Sequence, residues 1–98
     1  MDTQSRRYAE TAIAALDEVI AAGPQVAHED VASAVRCVAA LRNHMLAEVR
    51  NGGVSRTGLN RANALLSLAY GAQAPLIGFH LNRIKQTRDG LSALLASG

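Results

Sequence analysis

The chain has one cysteine, Cys37, no tryptophan, a single phenylalanine, Phe79, and two tyrosines, Tyr8 and Tyr70. One thiol excludes an internal disulfide and any cysteine cage for zinc, and it fits a reducing compartment. So few rings exclude the interleaved aromatics on which nucleic-acid bases stack. Long apolar runs are missing too: no stretch approaches the roughly 20 residues needed to span a bilayer. Ser5-Arg6-Arg7 hints at a twin-arginine export signal, but Glu10, Asp17 and Glu18 break what would be its apolar region. The expectation is a soluble, cytoplasmic protein with no membrane partner. Acid is scarce in one half only. Residues 1–50 carry five basic and seven acidic side chains, whereas residues 51–98 carry five basic and one acidic, a formal +4. A basic half can meet nucleic acid, an acidic partner surface, or the acidic half of a second copy.

What is present in quantity is alanine. Of the 49% apolar residues, 19 side chains are alanine, each adding only a methyl to burial. Alanine lets helices approach closely without building a deep core. At 98 residues the chain is long enough for one domain, with a stability of roughly 5–10 kcal/mol. No alternation of strand period occurs, and there is no internal repeat. The fold class expected is all-α.

Tyr8, Ala12, Ala15, Leu16, Val19 and Ile20 recur at helical steps, which predicts a first helix over 4–22, with Thr3 or Ser5 to cap it and Gly23-Pro24 to end it. Val31, Val35, Val38, Leu41, Met45 and Val49 mark the buried face of a second helix over 28–51. Glu29 and Asp30 suit its first turn, and Arg50-Asn51-Gly52-Gly53 its end.

From Leu59 to Leu95 one apolar stripe continues through Leu66, Tyr70, Ile77, Ile84, Leu91 and Leu94. Asn63, Gln73, His80 and Thr87 fill its intermediate positions. Pro75 interrupts it, since it lacks an N–H for the carbonyl of Gly71 and crowds that turn. The spacing predicts helical arms over 57–73 and 75–96 joined by a kink; the alternative is a helix-loop-helix in which Gly71 ends one helix and Pro75 opens the next. A continuous bent element would be roughly 58 Å long, against about 28 and 36 Å for the first two helices. Two helices cannot cover it, so a second copy is expected to complete the bundle across a seam of Leu66, Tyr70, Ile77 and Ile84. The rival is a monomeric four-helix bundle folded back at Pro75.

Motifs for chemistry are incomplete. Gly53-Val54-Ser55-Arg56-Thr57-Gly58-Leu59-Asn60 has the glycine spacing of a phosphate loop, but Leu59 and Asn60 stand where lysine and a hydroxyl residue are needed. Its glycines read as helix-stop and turn residues. His28-Glu29 opens like a zinc-protease helix, with Ala32 in place of the second histidine. His44 and Glu48 share a helix face at four-residue spacing and could ligate a metal together, with Cys37 about 10 Å away along the axis and too far to join. A two-residue site on a polar face nevertheless reads as a surface hydrogen bond. Cys37 lacks an activating neighbour and reads as a packing residue. No metal, cofactor or enzymatic activity is expected.

His80 is the sharpest polar candidate, with Arg83, Lys85 and Arg88 following it. A phosphoryl group on its imidazole would have cationic neighbours. A histidine followed at the third position by arginine resembles part of the histidine-kinase dimerisation box, although Leu81 replaces the acidic residue expected there. Histidine phosphotransfer and nucleic-acid binding by the basic half are therefore the alternatives. The function expected is a homodimeric, non-enzymatic helical module that binds an unidentified protein through Arg61, His80, Arg83 and Arg88.

Overall fold

The computed structural model describes residues 2–52, 56–71 and 78–97, with side chains described at 2–52, 56–71 and 80–96. Four α-helices form a bundle, with no strand among the described residues: α1 (Thr3–Ala22), α2 (His28–Arg50), α3 (Arg56–Tyr70) and α4 (Gly78–Ser97). The start and stop of α1 and the stop of α2 have local causes. Asp2, rather than Thr3 or Ser5, caps α1, its Oδ1 accepting the Ser5 N–H at 2.9 Å. An aspartate one residue earlier meets the same orphan donors, and Thr3 is thereby drawn into the helix. Gly23 ends α1 at φ +72°, a conformation costly for any residue with a Cβ, and Pro24 follows in a short 3₁₀ turn over Gly23–Gln25. Gly52, at φ +77°, turns the chain after α2.

The neighbours α1 and α2, α2 and α3, α3 and α4, and α4 and α1 pack together, while the diagonal pairs make no close backbone approach among the described residues. This is a square of two hairpins. The connection between α3 and α4, with Pro75 and Ile77, lies outside the described residues, so the kink itself is not described. What is described is the consequence. Gly71 lies against Arg83 and Gly90 against Leu65, so residue numbers fall on α4 as they rise on α3 and the two helices run antiparallel. The longest dimension is 42 Å. The expected bent rod of roughly 58 Å is therefore corrected to a hairpin, the folded-back rival arrangement.

That reversal changes what covers the apolar stripe. Leu66 and Ile84, expected in a seam between copies, are buried within one chain together with Leu59, Leu91 and Leu94. The first hairpin supplies Leu16, Val19, Val31, Val35, Val38, Leu41 and Met45, and Ala9, Ala12, Ala34, Ala62 and Ala69 fill the close approaches. Thr87 is fully buried in this core, and its hydroxyl donates to the Arg83 carbonyl at 2.8 Å, which satisfies it within its own helix. Gly90 lets α3 and α4 close on each other: a Cβ there would overlap the Leu65 side chain. Gly58 is no turn residue. It lies in α3, where an added Cβ would stand 3.0 Å from the Met45 methyl.

Candidate functional site

The square arrangement turns the charge asymmetry of the chain into an asymmetry of surface. The α1 and α2 hairpin holds all seven acidic residues of the first half, and the α3 and α4 hairpin holds five basic residues and one carboxylate, Asp89. On this second side Arg56, Arg61 and Lys85 are exposed among neutral residues such as Asn60, Asn63, Ser67, Asn82, Gln86 and Ser92, and Asp89 is its one exposed carboxylate. Asp89 pairs with Arg88, 3.2 Å from Nη1.

The residues expected to contact a partner fall in different settings. Arg61 is exposed. Arg88 is drawn into the fold, its Nε lying 3.0 Å from Asp17 Oδ1, and so ties α4 to α1. Arg83 is half-buried, its guanidinium lying over the Cα of Gly71, which the absence of a side chain there allows. His80 is half-buried in the first turn of α4. Of the expected seam, Tyr70 alone is on the surface among the described residues, and it is 53% exposed. Antiparallel register sets Tyr70 level with Lys85 and next in sequence to the glycine under Arg83. An aromatic ring, an ammonium and a guanidinium thus share one end of the basic hairpin.

A second polar arrangement lies at the other end, where α1 begins and α2 finishes. His44 Nε2 stands 3.7 Å from Asp2 Oδ2 and 3.9 Å from Glu48 Oε1, and Nε2 is buried with no hydrogen-bond partner. The Tyr8 ring stacks on the imidazole with centroids 5.0 Å apart and planes at 28°. Hydrogen bonding from Ser5, by its hydroxyl and by its backbone N–H, holds the Asp2 carboxyl below its ordinary 3.8, and His44 acts in the same direction. The backbone bond is the better formed of the two, since the buried hydroxyl lacks a partner of good geometry.

Sequence reasoning joined His44 to Glu48 but missed Asp2 and Tyr8. The available signal was Asp2 directly before a helix, a strong capping position. Tyr8, read from the sequence only as one step of the α1 repeat, is 39% exposed. It belongs to the rim of a shallow groove of about 340 Å³ between α1 and α2, lined by Gln4, Arg7, Tyr8, Thr11, Cys37 and Ala40. Cys37 is half-buried there and packs against the core. No described helix is long and apolar enough to cross a membrane.

Comparison of the chain with protein families, with curated proteins and with solved structures finds no match.

Proposed function

We propose that this protein is a non-enzymatic helical interaction module whose α3 and α4 face binds an acidic protein surface. One observation carries the reading: Tyr70 is 53% exposed on a hairpin with five basic residues and a single carboxylate, and it is next in sequence to the glycine against which the Arg83 guanidinium lies. Tyrosine and arginine dominate binding hot spots because they bring large contact area and directed hydrogen bonds at modest entropic cost. The surrounding positive field adds attraction and rate to that contact. The opposite face of a second copy, formally −2, is one such acidic surface, so self-association belongs to the same proposal.

The test uses the immobilised full-length chain in a nuclease-treated extract of its native organism. Tyr70→Ala and Lys85→Glu each reduce capture of the partner by roughly tenfold, and capture weakens as salt rises. Glu10→Gln, on the other hairpin, leaves it unchanged. Capture indifferent to Tyr70 and Lys85 overturns the proposal, and capture that vanishes with nuclease assigns the face to nucleic acid. Sedimentation at micromolar concentration reads the self-association, as a species of twice the 10.3 kDa of one chain.

A further inference from the structure

We infer that Asp2, His44 and Glu48 bind a divalent transition-metal ion of the zinc class, which fastens the start of α1 to the last turns of α2. One imidazole nitrogen and two carboxylate oxygens converge, all three atoms lying within 4.8 Å of one another. Their spacing is wrong for hydrogen bonds. At 3.7 and 3.9 Å neither carboxylate reaches His44 Nε2, which is shielded from solvent and otherwise without a partner. It suits a shared ion, because two ligands held at about 2.0–2.2 Å from one metal stand about 3–4 Å apart.

The ligands are also held in place. The Ser5 N–H fixes Asp2 Oδ1, which leaves Oδ2 facing the imidazole; the stacked Tyr8 ring sets the imidazole plane; and Glu48 follows His44 by one helical turn. Such outer contacts orient metal ligands before the ion arrives. Mixed nitrogen and oxygen donors favour zinc-class ions over calcium or magnesium, which take oxygen. Two carboxylates balance the charge of the ion, and water can reach it, since the Asp2 and Glu48 side chains are 43% and 31% exposed. This site is separate from the α3 and α4 face and goes beyond the interaction reading.

Calorimetric titration of the untagged, chelator-treated full-length chain with Zn²⁺ tests it, alongside thermal unfolding with and without the ion. One equivalent binds and the melting temperature rises by about 5 °C or more. Glu48→Gln, and Asp2→Asn, which keeps a capping side chain, each weaken binding by roughly tenfold or more. His44→Ala removes it. Co²⁺ in place of Zn²⁺ gives visible absorption bands that the same variants lose, while Lys85→Glu changes neither readout. Absence of Zn²⁺ binding overturns the inference. So does binding that survives Asp2→Asn and Glu48→Gln unaltered, which would place the ion at His28, His80 or Cys37; these two near-isosteric variants decide the matter even if His44→Ala fails to fold.

Discussion

The two hairpins share a topology but are built from different material. Between α1 and α2 the buried positions are valine, alanine, leucine and Met45, with the small Ser5 hydroxyl buried at the start of α1, and the solvent side carries both signs of charge. Between α3 and α4 the buried residues are leucine, isoleucine and alanine around Thr87, with a close approach at Gly90, and the solvent side is basic or neutral apart from Asp89. Among the described residues the first hairpin supplies more of the apolar burial, which is where most folding free energy originates. The second contributes, among the described residues, fewer buried methyls and most of the one-signed surface. A chain rich in alanine can divide labour in this way, since close backbone approach lets one hairpin anchor the other without large side chains.

Substitutions can break this comparison. The largest effect is expected at Leu41, fully buried in α2: Leu41→Ala costs about 2–5 kcal/mol in denaturant unfolding, the range for a leucine truncation that leaves a cavity. A loss well under that would show that the first hairpin does not carry the core. Gly90→Val comes next. It drives a branched side chain into Leu65 and costs about 1–3 kcal/mol by overpacking, more than its gain in helix propensity; an unchanged midpoint would mean that α3 and α4 separate without penalty.

Smaller still is the link between hairpins. Arg88→Ala removes the ion pair with Asp17, whose partners are more than a third exposed, so its cost stays below about 1 kcal/mol and shrinks in high salt. The subtlest effect depends on pH. The folded-state Asp2 carboxyl titrates below its ordinary 3.8, so its contribution to stability is fully present above that value and is lost as pH falls through the lowered one. Thermal unfolding across pH 2–5, taken as roughly the window of carboxylate titration, should show a steeper acid loss for the wild type than for Asp2→Asn. Parallel curves would remove the link between this cap and acid stability.

Much of the fold was legible because helical spacing is a local property. Val31, Val35, Val38, Leu41, Met45 and Val49 were assigned to one buried face from their intervals alone; the first five are buried and Val49 is half-buried against the core. The stripe after Leu59 was equally legible as helical, and Leu59, Leu66, Ile84, Leu91 and Leu94 are core residues. Its reversal was not, because a period near 3.5 residues runs in phase across a fold-back as easily as across a bend. The dimer seam assigned to Leu66 and Ile84 followed from that ambiguity. The setting of Tyr8 was not legible for another reason: helical spacing does not show that its neighbour Ala9 takes the buried position and that the ring turns onto His44.

From its amino acids alone the chain was bound to form helices of about these lengths, each with one apolar face, because those properties depend on neighbours within a few residues. The positions of Gly23 and Gly52, where the backbone takes a positive φ, were set in the same local way. Tertiary structure decided which faces meet. Only packing could place Asp2 beside His44, 42 positions apart in the chain, or gather the basic residues of two helices onto one side. Such meetings depend on how four amphipathic surfaces are mutually covered, a property of the whole bundle that no single interval of sequence contains.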